Sequence, residues 1–79
     1  MPSTLERVQK VVASVLRVPR ERVVPGAVLS ELAELDSLSL AEIASGLDDE
    51  FRTHVPGDDL ATVLSIADLV RMVERSVAR

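Results

Sequence analysis

The 79 residues contain no cysteine, no tryptophan and no tyrosine, and only one phenylalanine and one histidine. Without cysteine there is no disulfide, no thiolate zinc site and no nucleophilic thiol, so any thiol chemistry has to be imported. With so few aromatic rings and a net charge of −4, neither base stacking nor phosphate neutralisation is at hand, which argues against a nucleic-acid partner. No apolar run approaches the roughly 18 residues of a membrane span, and Met1 to Lys10 carries Glu6 and Arg7 where a secretory signal needs a hydrophobic stretch. The expectation is a cytoplasmic protein that does not enter a membrane. What is present is 47 % hydrophobic residues, enough for one thin core. A chain of this size forms a single domain, residues 1–79, because dividing it leaves neither half enough residues to bury. Local helix signals therefore weigh heavily.

Ser3-Thr4-Leu5-Glu6 is a capping-box pattern, and Leu5, Val8, Val12, Val15 and Leu16 follow at the three- and four-residue spacing of one helical face. A helix is expected to about Arg17, stopped by Pro19. The connection from Val18 to Leu35 is long, and Val23, Val24, Val28, Leu29, Leu32 and Leu35 are spaced through it as apolar anchors, with a short helical turn at Ser30 to Glu34. Asp36 is a strong N-cap for a second helix on whose face lie Leu40, Ile43, Ala44, Leu47 and Phe51. Gly46 sits inside that helix, where it lets a neighbour approach closely. After Pro56-Gly57, Asp58-Asp59 is expected to cap a short turn carrying Leu60 and Val63. Ser65-Ile66-Ala67-Asp68 repeats the capping-box logic for a last helix faced by Ile66, Leu69, Val70, Val73 and Val77, with Met72 beside that face. The fold class is all-α: a small antiparallel bundle of three main helices plus one short helix, with a long ordered first loop.

Charge is unevenly distributed. Residues 30–60 hold nine acids against one base, a balance of −8, while the flanks hold eight bases against four acids, a balance of +4. An acidic second helix is thus set against more basic outer helices, a field that steers a basic partner as well as one that keeps a small protein in solution. The three adjacent acids Asp48-Asp49-Glu50 point in different directions on a helix and do not have calcium-loop spacing, so no metal site is expected.

Leu35-Asp36-Ser37-Leu38 places a serine in the first turn of the second helix, where backbone N–H groups are unpaired and the macrodipole is positive. A hydroxyl there suits an attached phosphate ester. His54 lies beyond the other end of that helix with no second histidine, so no base, nucleophile and oxyanion stabiliser assemble and no enzyme is expected.

At this point the chain resembles the acyl carrier proteins, in which an Asp-Ser-Leu motif opens the second helix. The resemblance rests on the register of that motif with Asp48-Asp49-Glu50-Phe51, Val55-Pro56, Asp58-Asp59 and Ser65-Ile66-Ala67-Asp68, and runs from about residue 4 to 78. It implies the four-helix fold of that family and a free-standing carrier. It implies that Ser37 receives 4′-phosphopantetheine from coenzyme A through a phosphopantetheinyl transferase that reads Asp36 and Leu38. Acyl groups then ride as thioesters in fatty-acid, polyketide or other specialised biosynthesis, visiting acyl-activating, acyltransferase or ketosynthase-type enzymes through their basic patches. Glu42, Asp48 and Asp49 match the family's acidic recognition helix, and Ala41 and Ser45 stand where carriers of general fatty-acid synthesis often expose larger apolar side chains. The carrier itself is expected to be a monomer and not an enzyme. The sequence departs from the family pattern at Glu34, where many members have glycine, and at Ser39, which replaces a common acid. Two other readings stand beside this one: an aminoacyl or peptidyl carrier, whose motif more often carries glycines before the serine, and an unmodified acidic helical module that docks a basic partner.

Overall fold

The computed structural model describes residues 3–78; Met1, Pro2 and Arg79 of the expected single domain lie outside the described residues. Five α-helices follow one another: α1 (Thr4–Leu16), α2 (Leu29–Leu32), α3 (Ser37–Phe51), α4 (Gly57–Leu60) and α5 (Ile66–Val77), with a 3₁₀ turn at Arg20–Arg22 after α1. The helical class and the three long helices agree with the sequence reading. There are two short helices where one was counted separately, because the turn expected near Ser30 closes as α2.

The long helices start where side chains satisfy their orphan amides. Ser3 Oγ accepts the Glu6 N–H at 3.1 Å while Glu6 accepts the Ser3 N–H at 3.2 Å, and Ser65 and Asp68 do the same for α5. Two of them, α1 and α3, stop at an arginine in the left-handed region, Arg17 (φ 56°) and Arg52 (φ 52°), rather than at glycine. Each stop is closed by two amides on one carbonyl, Arg17 and Val18 on Ala13 O, and Arg52 and Thr53 on Asp48 O.

α1 packs against both α3 and α5. Val8, Val11 and Val12 of α1, Ile43, Ala44 and Leu47 of α3, and Ile66, Leu69, Met72 and Val73 of α5 form a common core with Val23, Leu29, Val55 and Leu60 from the connections. Most of the helical positions are those that the three- and four-residue spacing marked, but Val11 joins them unmarked and Met72 is drawn into the core, while Val77, counted on the α5 face, is 50 % exposed at the helix end, beyond the reach of the core. Gly46 faces α1 so closely that an added Cβ would stand 2.8 Å from Val11 Cγ1.

The first loop is ordered, partly by means that apolar spacing does not reveal. Gln9 Nε2 donates to Val23 O at 2.7 Å. Val28 pairs with Ser65 in an isolated antiparallel bridge, flanked by Leu29 N–H to Leu64 O (2.9 Å), Ile66 N–H to Ala27 O (3.0 Å) and Ala67 N–H to Pro25 O (2.9 Å). Backbone bonds to the start of α5 thus hold the loop down. They also explain one failed expectation: Val24, counted as an anchor, is 48 % exposed, since neighbouring Val23 already fills the core and backbone pairing begins just after it. A second correction concerns α4. Its N-cap is Pro56, without a side-chain hydrogen bond, and Asp58 and Asp59 sit inside its first turn, where they complement the helix dipole instead of capping.

Candidate functional site

Asp36 sets up the start of α3. Its backbone is extended, its Oδ1 accepts the Ser39 N–H at 2.8 Å, and its carbonyl accepts the Leu40 N–H at 3.0 Å. The Ser39 amide, and then the Ser39 hydroxyl, hold the Asp36 carboxyl below its ordinary value, with the Leu38 amide adding a minor pull. No acid occupies the first turn of α3, because Ser39 stands where a capping-box carboxylate would. Among the described residues, the Ser37 amide makes no hydrogen bond.

Ser37 is the first residue of α3 and is exposed. Its hydroxyl therefore stands at the positive end of a 15-residue helix, beside an amide with bonding capacity to spare. A phosphate ester on that oxygen gains from both features, and nothing buried has to move to admit it. Next to it Leu38 is 68 % exposed, an apolar side chain held in solvent at the entrance to the helix. Ala41, Glu42, Ser45 and Asp49 are exposed as well, and at about 100° per residue they share one outward face with Leu38.

The three acids at the far end of α3 take different roles. Asp49 is exposed. Glu50 is drawn inward: Arg7 Nε lies 2.8 Å and Lys10 Nζ 2.7 Å from its carboxylate, and the Arg7 guanidinium also donates to the Glu50 carbonyl. Those two cations hold the Glu50 carboxyl below its ordinary value, Lys10 being the larger influence. The Arg7 guanidinium also sits 4.3 Å from the centre of the Phe51 ring. Asp48, grouped with the partner-facing acids by its sequence position, is half-buried, and its Oδ1 accepts the Val55 N–H at 2.7 Å.

His54 is exposed just beyond α3, with Nδ1 3.6 Å from Asp48 Oδ2. Ser37 and His54 flank opposite ends of α3, about 20 Å apart along its axis, so the fold does not bring this hydroxyl and imidazole together. Among the described residues no group of side chains could hold a metal ion, and no helix is long and apolar enough to cross a membrane. Arg7 and Lys10 are the residues that helical periodicity passed over; their pairing with Glu50 spans some forty positions of sequence, and only the opposite charges of the two segments hinted at it.

An exposed serine hydroxyl at a helix start, with an aspartate cap before it, is chemically able to receive an arm as a phosphate ester, and the cysteine-free chain has no thiol of its own. Residues 6–73 match the profile of the family described as the phosphopantetheine attachment site. The match covers most of the chain, from within α1 to within α5, and the chain thus belongs to the phosphopantetheine-binding carrier proteins, whose cofactor is covalently attached 4′-phosphopantetheine.

Proposed function

We propose that this chain is an acyl carrier protein and that Ser37 is its attachment point. The observation that carries the reading is the exposed Ser37 hydroxyl at the first position of α3 beside an amide without a hydrogen bond. When attached, the arm supplies the thiol this cysteine-free chain lacks, on which acyl groups are held as thioesters. The protein's own residues do the rest. Asp36 keeps the helix start formed, and the amides of the first turn together with the helix dipole stabilise the negative charge of the ester. Tethering a substrate to a small, ordered bundle raises its effective concentration at each enzyme the bundle visits.

The phosphopantetheinyl transferase that uses coenzyme A is the first partner, reading Asp36, Ser37 and Leu38. Acyl-activating, acyltransferase or ketosynthase-type enzymes follow, docking basic patches on the α3 face that displays Glu42 and Asp49. Such contacts are fast, brief and weakened by salt. The small exposed side chains Ala41 and Ser45 make that face flatter and more polar than a face bearing large apolar residues, which supports a dedicated polyketide or unusual-lipid pathway over general fatty-acid synthesis.

The test is intact mass after incubation with coenzyme A and a broad-specificity transferase. One addition is expected in the wild-type chain and none in Ser37→Ala, with the melting temperature unchanged. An addition that persists in Ser37→Ala overturns the assignment. Challenging the loaded protein with acyl- and amino-acid-activating ligases separates an acyl from an aminoacyl or peptidyl carrier.

A further inference from the structure

We propose that Asp48 is a positioning residue for the corner between α3 and α4, and that the docking face of α3 is formed without it, by Leu38, Ala41, Glu42, Ser45 and Asp49. The proposal refines the reading of Ser37 as the attachment point and rests on it.

Every acceptor of Asp48 points toward the corner. Its carbonyl receives the Arg52 and Thr53 amides, Oδ1 receives the Val55 amide at 2.7 Å, and Oδ2 lies 3.6 Å from His54 Nδ1. Four successive residues of the turn, from Arg52 to Val55, thus face one aspartate. Val55 is 1 % exposed, and its amide, left without an acceptor, would be a polar group unpaired at the edge of the core. Pro56 and α4 follow immediately, so the direction in which α4 leaves is set where Asp48 holds the chain.

Its position around α3 agrees. The five exposed residues span about 100° around α3, with Ala41 and Glu42 at the two edges, and Asp48 lies about 20° beyond the Ala41 edge, on the side of buried Ala44. The Asp48 side chain retains 30 % of its exposure, and that of Glu50 only 20 %. Of the three consecutive acids, Asp49 alone has an outward carboxylate with no partner within the described residues.

Asparagine separates charge from geometry at this position, because its amide oxygen still accepts the Val55 N–H while the negative charge is gone. The experiment compares Asp48→Asn, Asp48→Ala and Asp49→Asn in loading by a broad-specificity transferase with coenzyme A, at low and moderate salt. Asp49→Asn is expected to raise the KM for the carrier roughly three- to tenfold and to weaken its salt dependence, at an unchanged melting temperature. Asp48→Asn is expected to keep KM within about twofold of wild type and to rescue the stability that Asp48→Ala loses. A KM for Asp48→Asn raised as far as that for Asp49→Asn overturns the proposal. Hydrogen exchange of the Val55 amide gives a readout independent of loading: slow in wild type and in Asp48→Asn, fast in Asp48→Ala. Protection that survives in Asp48→Ala also overturns it. If the wild-type chain accepts no arm at all, the reading of Ser37 fails, and the Val55 amide still decides the role of Asp48.

Discussion

The two ends of α3 are treated in opposite ways. At its start, Ser37 and Leu38 are exposed, Asp36 caps the helix, and among the described residues no side chain from another element is hydrogen-bonded there. At its end, Arg7 and Lys10 reach across from α1 to Glu50, Arg7 lies over Phe51, and Asp48 ties the helix to the turn that follows. One helix is thus clamped at its base and bare at its tip. On the proposed reading of Ser37, this division leaves the attachment point open to a transferase while the bundle holding it stays folded.

Two leucines on α3 provide the largest expected contrast. Leu47, fully buried in the clamped half, should cost about 2–5 kcal/mol when cut to alanine, a large part of the roughly 4–12 kcal/mol available to a domain of this size. Leu38→Ala, at the bare end, should change stability by less than about 0.5 kcal/mol while slowing loading by the transferase. Chemical denaturation of both variants tests the pair; equal losses of stability break the comparison.

Gly46→Ala sharpens it next. Alanine gains about 1 kcal/mol of helix propensity over glycine, but the new Cβ would meet Val11 Cγ1 at 2.8 Å, and valine in a helix has essentially one rotamer to offer. Overpacking costs about 1–3 kcal/mol, so a net loss of about 1 kcal/mol is expected. Combining it with Val11→Ala should bring coupling of the opposite sign, measured as a double-mutant cycle.

A smaller effect is expected from Arg7→Ala, which removes the pair with Glu50, a bond to its carbonyl and the contact with Phe51. It should lower the melting temperature more than Lys10→Ala, whose side chain is 59 % exposed. Weakest is the pH effect of the same clamp. The folded state holds the Glu50 carboxyl below its ordinary value of 4.5, so the unfolded chain takes up the proton first. The stabilisation is present above about pH 4.5 and is lost as pH falls below it. A melting curve against pH should therefore have a shallower acid limb in Glu50→Gln than in wild type. Asp36 and Asp68 act in the same direction through their caps, so the limb should flatten without disappearing.

Much of the bundle was legible because its signals are local. Both serine capping boxes, the Asp36 cap and the apolar faces of the three long helices depend on residues within a turn or two of one another. The bare end of α3 was legible for the same reason: Ser37 follows its cap directly. The clamped end was not, since Arg7 finds Glu50 only once α1 lies against α3, and Asp48 finds Val55 only once the chain turns at Arg52. Val24 misled because two adjacent apolar residues in a loop do not say which of them turns inward; it is Val23, whose carbonyl Gln9 holds from α1. The Arg20–Arg22 turn was missed because a single 3₁₀ turn is too short to establish a period.

Fragmenting the protein after transferase treatment and locating the added mass by tandem mass spectrometry tests the central claim most directly. The account predicts that every modified molecule carries its addition on Ser37, at the unclamped tip of α3. Modification found on Ser30, Ser39 or Ser45 in place of Ser37 would contradict it.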